Sequence, residues 1–562
     1  MKRRFIAALS CLLFSLAGQA QNYYHGTWYV TAKGMPNGDV NMMMTVDCNA
    51  NPAIGNITDP SNPAKLIKLE NVKISGDSFS AQFKGFGITL PLELTKVDER
   101  TAAGKAMRRF DLTASKDKTF DLVIPNADED TQSALDTLSL TVTVDVKQKL
   151  GPMPKLHGYN NMTDFSLEGD GDFLERNGLH ATVTRVWAGP GYVQEKGWIE
   201  GSKMSDYLLV AYDYTNPRRA KLVKMELKKL KQKYPKLRYI EVGNEFDYDQ
   251  GKGHTAQSYY TVYKSMYQIV NEINAELKPE TPLEVGGPTS SNYNLPWITA
   301  LLDAYAADTD PAKKLDFISY HGYFLMPDGV HREFYKENPS LVCGQREHIT
   351  QLLVERGLPA DTPVFISELG IYPGPLADDF NDMGKDQLRQ ASGMASLLYW
   401  YTRTENTYPF NWVTRHPQES RKDQLVSRSN DGQVINAPEK FTPYGNALVM
   451  LSKLQGTQVS ASTSVEKGKG IYSLASVGNG KTVVMVWNFQ GVDRHGYELS
   501  IDLPGSAIGG KTVTEYHIDA RTCNHNADFD NCNLHPVAYG KAAGEKLGVF
   551  LQPNALHLFV IE

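Results

Sequence analysis

Arg238-Tyr-Ile-Glu-Val-Gly-Asn-Glu245 and Pro363-Val-Phe-Ile-Ser-Glu368 decide how this chain is read. Each is a short apolar, β-branched and aromatic run that ends abruptly in a carboxylate and gives way to loop and then to a helical pattern. Side chains at the carboxyl ends of parallel strands point into the mouth of a (β/α)8 barrel, where reactive groups collect. Two carboxylates facing one another across such a mouth are the minimum apparatus for hydrolysing a glycosidic bond. A lone strand-terminal glutamate has duller uses, as a helix cap or an ion-pair partner, so the weight rests on the pair.

Outward from these runs the grammar alternates strand and helix, which argues for a parallel sheet. Strands are expected at Leu156–Asn160, Ala181–Trp187, Tyr207–Asp213, Leu237–Glu245, Leu283–Pro288, Phe317–Tyr323, Val364–Glu368 and Pro409–Val413. Helical patterns fall at Asp170–Asn177, Pro217–Tyr234, Thr255–Leu277, Pro296–Ala307, Gln345–Arg356 and Lys385–Thr404, and a further one at Pro443–Leu454 closes the region. Eight strands is the count of a closed barrel, with Glu245 ending the fourth and Glu368 the seventh. The run from Arg218 to Arg238 carries ten Lys and Arg, with Leu222, Met225 and Leu230 at helical spacing, and is expected to be the solvated outer face of a barrel helix.

Short alternating runs separated by Gly, Asn, Asp and Pro fill residues 21–150 and return beyond Gly456, which fits antiparallel sandwiches or barrels. Gly151-Pro-Met-Pro154 between them and the alternating region reads as a linker. The expected architecture is α/β: a (β/α)8 TIM barrel over 151–455, flanked by β-sandwich-like domains over 21–150 and 456–562.

Residues 1–20 have the form of a targeting segment. Lys2-Arg3-Arg4 is a positive start, Phe5 to Leu16 an apolar stretch, and Gly18-Gln19-Ala20 a small-x-small cleavage site. The mature protein is expected to start near Gln21 and to be exported, whether periplasmic, cell-surface or secreted. The apolar stretch is too short for a membrane span, and no other window reaches about 18 apolar residues. Of the four cysteines that remain, Cys523 and Cys532 share a polar loop and are expected to form a local disulfide in an oxidising compartment. Cys48 and Cys343 are expected to be unpaired or buried. A metal held by His525, Asp528 and Asp530 is the less favoured reading of that loop. A net charge of −6 over 562 residues gives no sign of nucleic acid or an anionic membrane surface as partner.

The Gly-Asn-Glu of residues 243–245 resembles the Asn-Glu signature on strand four of clan A glycoside hydrolases, and Ile366-Ser-Glu368 is similar to their strand-seven nucleophile motif. Asp316-Phe-Ile-Ser-Tyr-His-Gly-Tyr323 resembles the strand-six segment of glycoside hydrolase family 39. Tyr516-His-Ile-Asp-Ala-Arg-Thr-Cys-Asn524 is similar to that family's C-terminal sandwich. The resemblance covers roughly residues 155–530. Two departures stand out: the family usually has Trp-Asn-Glu-Pro where this chain has Gly243-Asn-Glu-Phe246, and the N-terminal β-domain is extra.

The resemblance implies that Glu245 is the general acid/base and Glu368 the nucleophile of a double displacement with retention, the carboxyl groups standing about 5 to 5.5 Å apart. It implies a carbohydrate substrate and no cofactor. Asn244 is an amide able to hold a sugar hydroxyl, and Arg185 is the natural cation for Glu368, or else part of a structural salt bridge in the barrel. His321 and Tyr323 alternate along one strand, so both can face the mouth. His321 has three readings: a hydrogen bond to substrate or to another site residue, a satisfied core histidine, or a metal ligand. Tyr323 is placed to bond Glu368. Trp412 is a platform for a sugar ring or a plain core residue, and Trp187, Asn160 and Tyr214 are weaker candidates for the mouth. Segments 188–204, 325–342 and 372–384 are the expected subsite walls, and Arg332, Arg415 and Arg421 are either contacts for an acidic sugar or surface charge. A non-catalytic carbohydrate-binding surface protein on a decayed barrel is the alternative, and the intact glutamate pair argues against it. A metal-dependent hydrolase would need clustered His and Asp at strand ends, where only His321 qualifies.

Overall fold

A computed structural model describes residues 23–562 apart from 34–38, 49–51, 60–61, 86–87, 118, 120–134, 157, 162–165, 249–252, 324–339, 372–382, 417–422, 428–438, 466–469, 491–494 and 505–507. The targeting segment, Arg332, Arg421 and most of the expected walls 325–342 and 372–384 lie outside the described residues. The chain divides into two compact units, one reaching to residue 134 and the other comprising nearly all the rest.

In the first unit, eight strands from Gly26–Lys33 to Phe110–Ser115 pair antiparallel in chain order, and the last pairs with the first. The β-pattern therefore closes into a barrel. Period-two alternation turns Trp28, Val30 and Ala32 inward from the first strand and Leu112 and Ala114 from the last.

The second unit holds a closed parallel barrel. Its strands are β1 (Gly158–Asn160), β2 (Ala181–Gly189), β3 (Ser205–Tyr212), β4 (Leu237–Val242), β5 (Glu284–Ser290), β6 (Phe317–Tyr323), β7 (Val364–Gly370) and β8 (Thr407–Asn411). β1 pairs with both β2 and β8, which closes the ring. Inside it, Val183, Leu209, Phe317, Phe365 and Phe410 form an apolar floor, with the Phe317 and Phe365 rings stacked at 4.5 Å. The floor fills the barrel, so groups further along each strand can only gather above it.

Two outer helices depart from expectation. Helix Ala220–Lys233 buries Val223, Leu227 and Leu230, while Met225 is exposed. Its basic face pairs with the neighbouring helix through Lys224 to Glu272 and Lys228 to Glu276. The expected wall 188–204 contains a further helix, Glu195–Lys203. Two glycines hid it, and Gly201 packs closely, since an added Cβ would stand 3.1 Å from the Thr184 side chain.

The C-terminal part forms a nine-stranded sheet that includes the strand immediately preceding the barrel. Asp136–Pro152 lies between Thr457–Thr463 and His495–Asp502, parallel to the latter. This corrects the assignment of residues 138–146 to the N-terminal domain and of 151–154 to a linker. The alternation that buries Leu140, Val142 and Val144 suits either sheet, and only the distant pairing partner decides between them. Cys523 and Cys532 are both free and buried, so the expected disulfide is not formed. Their loop is held instead by Asn446, whose Nδ2 donates to both cysteine carbonyls at 2.8 and 2.7 Å. Among the described residues no helix is long and apolar enough to cross a membrane.

A chain truncated to begin at residue 151 should be insoluble or unfolded, whereas one beginning at residue 135 should fold. The first loses three buried side chains, each worth about 1.5–3 kcal/mol, and leaves two strand edges unpaired. Expression followed by thermal denaturation separates the two outcomes.

Candidate active site

β2 carries Val183 into the floor, and two residues further on it sends Arg185 into the space above. Arg185 is fully buried and organises that space. Its Nε donates to Glu241 Oε2 at 2.7 Å, Nη1 to Glu368 Oε1 at 2.7 Å and to Asn160 Oδ1 at 3.1 Å, and Nη2 to Asn244 Oδ1 at 2.8 Å. Burial works against its charge, but Glu241 and Glu368 outweigh that and raise its pKa. Arg185 thus takes both roles foreseen for it, cation for Glu368 and barrel salt bridge.

Glu368 reaches the mouth through a break in strand alternation. Phe365 faces the floor and Ile366 the outer helices, so strict alternation would turn residue 368 outward. The β6–β7 register shifts between the Tyr320–Ile366 pair and the His321–Glu368 pair, leaving Ser367 as the extra residue. A bulge of this kind re-aims the side chains that follow it. Glu368 consequently takes a second hydrogen bond, from the Tyr323 hydroxyl to Oε2 at 2.6 Å. Burial, followed by the charge of Glu368, pushes the Tyr323 hydroxyl well above the usual tyrosine range.

Glu245 arrives by a different device. β4 ends at Val242, Gly243 has φ +83° and Glu245 itself φ +48°, a conformation that non-glycine residues hold only when their surroundings enforce it. Here the Glu245 N–H donates to Thr289 O at 2.8 Å. A Cβ on Gly243 would stand 2.4 Å from the Phe246 ring, so glycine at 243 and phenylalanine at 246 go together as one departure from Trp-Asn-Glu-Pro.

His321 joins the two carboxylates. Its Nδ1 lies 2.8 Å from Glu245 Oε1 and 3.4 Å from Glu368 Oε2. Burial disfavours the imidazolium, but Glu368 and Glu245 outweigh it and raise the His321 pKa. One ligating atom from each of Glu245, His321 and Glu368 lies within 4.8 Å of the others, a spacing that could take a metal ion. The Arg185 guanidinium against Glu368 makes the position unfavourable for a second cation.

Trp412 lies just beyond β8, largely buried, with its ring 6.5 Å from that of Tyr323. The Trp187 ring lies 4.6 Å from the Arg185 guanidinium and lines a cleft of about 400 Å³ with Tyr192, Asp213 and Arg219. Neither glutamate lines that cleft. Asn160 belongs to the site through Arg185 and also donates to Ser367 O at 2.8 Å. Tyr214 does not, since its hydroxyl meets Ser265 on an outer helix at 2.9 Å. Arg415 is buried in an ion pair with Asp170 at 2.7 Å, which rules it out as a surface contact for an acidic sugar. Sequence reasoning missed Glu241. A single acid inside the apolar run Leu237–Val242, like the single Arg185 inside Ala181–Gly189, was the available signal that the two needed each other.

No protein-family model and no curated protein matches this chain. Solved structures do, and they carry the barrel architecture. A glucosidase from Croceicoccus marinus aligns at 14% identity and TM-score 0.54 over 75% of this chain and 99% of its own. The GH39 enzyme of Xanthomonas axonopodis pv. citri aligns at 14% and 0.53 over 78% and 99%. A bacterial orthologue of human α-L-iduronidase aligns at 12% and 0.57 over 75% and 84%. At these identities the likeness establishes a shared fold.

Arg185→Met should cost about 3–5 kcal/mol in urea unfolding, because it leaves buried carboxylates without their counter-charge. Adding Glu241→Gln should recover part of that loss, and a purely additive result would contradict the charge account. His321 contributes stability that is fully present below its unfolded pKa of 6.5 and is lost as pH rises through the higher folded value. The stability difference between the wild type and His321→Gln should therefore be larger at about pH 5.5 than at about pH 8.5.

Proposed function

We propose that the protein is a retaining glycoside hydrolase, with Glu368 as nucleophile and Glu245 as general acid/base. The observation that carries this reading is the convergence of the two carboxylates on His321, with ligating atoms within 4.8 Å of one another at the mouth of the barrel. An inverting enzyme needs about 6.5–9.5 Å between them to admit a water. The roles follow from the surroundings. Glu368 meets a donor at each oxygen, Arg185 and Tyr323, and is almost fully buried, which suits an anion aimed at one atom. Glu245 is more open, with 28% of its side chain exposed, which suits a group that meets first a leaving oxygen and then a water.

In the first step Glu368 attacks the anomeric carbon while Glu245 gives its proton to the departing oxygen. In the second, Glu245 takes a proton from water, which displaces Glu368 and restores both groups. Asn244, held by Arg185, is the contact for a sugar hydroxyl, and Trp412, whose ring lies 6.5 Å from that of Tyr323, is the platform for a sugar ring. The cleft beside Trp187 is the further subsite. Sugar identity and linkage belong to the loops. Export goes with this reading and rests on residues 1–20 alone.

Glu368→Ala should abolish turnover of every glycoside, and azide should restore it with inverted product. Glu245→Ala should lose about 10²–10⁴-fold on natural glycosides, far less in the first step for dinitrophenyl glycosides, and azide should restore turnover with retained product. The reverse stereochemistry would exchange the two roles, and full activity in both variants would remove the site from this cleft. A panel of aryl glycosides and plant or algal polysaccharides supplies the substrate. Chelator treatment should leave hydrolysis unchanged.

A further inference from the structure

A second set of ligating side chains lies in the C-terminal sheet. Glu515 and His517 sit two residues apart on strand Thr512–Ile518 and share a face, and strand Leu556–Ile561 sets His557 directly opposite His517. Phe559 and Ile561, on the same face as His557, pack into the sheet's own core, while Leu556 and Leu558 on the other face join the core shared with the barrel. The Nδ1 atoms of His517 and His557 both converge on Glu515 Oε1, at 3.4 and 3.0 Å. One ligating atom from each residue lies within 4.8 Å of the others.

We propose that Glu515, His517 and His557 bind a divalent transition metal of the zinc type, with a fourth position open to water or an external ligand. Two imidazoles and one carboxylate are a set that zinc accepts in open tetrahedral sites, with metal–ligand bonds of about 2.0–2.1 Å and hence ligand–ligand edges of about 3.3 Å. The two edges to Glu515 already bracket that length. The surroundings supply the outer partner such sites use, for His517 Nε2 lies 3.7 Å from Asp519 Oδ2, a carboxylate able to orient the ring from its far side. Glu515 and His517 keep 15% and 22% of their side chains exposed, which leaves a path for the ion. Zinc takes unprotonated ring nitrogens, so binding weakens as pH falls. The site is independent of the glycosidase reading.

The test uses the full chain, stripped with chelator and titrated with Co²⁺ and then Zn²⁺. The expected result is one cobalt per chain with tetrahedral d–d absorption that zinc displaces. His517→Ala and His557→Ala should each weaken binding by about 100-fold or more, and Asp519→Asn by about 10–100-fold. Glu515→Gln keeps the side chain's shape and serves if a histidine variant fails to fold. Glu368→Gln should leave stoichiometry and spectrum intact, which separates this site from the Glu245–His321–Glu368 cluster. Absence of cobalt binding by the wild type, survival of binding in folded His557→Ala or Glu515→Gln, or its loss in Glu368→Gln would each overturn the assignment.

Discussion

One buried guanidinium sets the layout of the barrel mouth. Arg185 ties four strands and the loop after β4 through Glu241, Glu368, Asn160 and Asn244, and Trp187 lies along its face. Removing such an ion from water costs several kcal/mol, a penalty offset only when geometry and counter-charges are both good. The planar fork of arginine meets that demand and a lysine would not, because a point charge cannot address four acceptors at fixed angles. The distance between the Glu245 and Glu368 carboxylates is thus partly a property of Arg185.

The apolar floor gives this arrangement its strength. Phe317, Phe365, Phe410, Val183 and Leu209 exclude water beneath the polar layer, so electrostatic terms above it act in a weak dielectric. The hydrogen bonds to Glu368 from Arg185 and Tyr323, and the one between His321 and Glu245, are therefore coupled. A change in the protonation of one member alters the field at the others.

The C-terminal sheet bears on the barrel through its connection. Strand Asp136–Pro152 enters the sheet before the barrel begins, and Thr457–Thr463 pairs with it when the chain returns. The Met153 N–H donates to Gly456 O at 2.8 Å, so the entry and exit of the barrel region are hydrogen-bonded to each other. Closing a long excursion in this way restricts how far β1 can stray from the rest of the ring.

The eight barrel strands, the outer helices other than Glu195–Lys203 and the two glutamates near strand ends were legible in the residues alone, because each is marked by a local signal: a β-branched run, a 3.6-residue period, an acid where apolar character stops. β6 was read to the residue. The sheet joined by residues 136–152, the turning of Tyr214 to an outer helix, the pairing of Arg415 with Asp170 and the service of Arg185 to Glu241 were not legible. Each depends on a partner distant in the chain, and alternation fixes a face but not the neighbour across it. The sharpest case is Glu368. By sequence it merely ends a strand, and strict alternation would turn it outward. Only the register shift at Ser367, imposed by the pairing of β6 with β7, brings its carboxylate to Arg185, Tyr323 and His321.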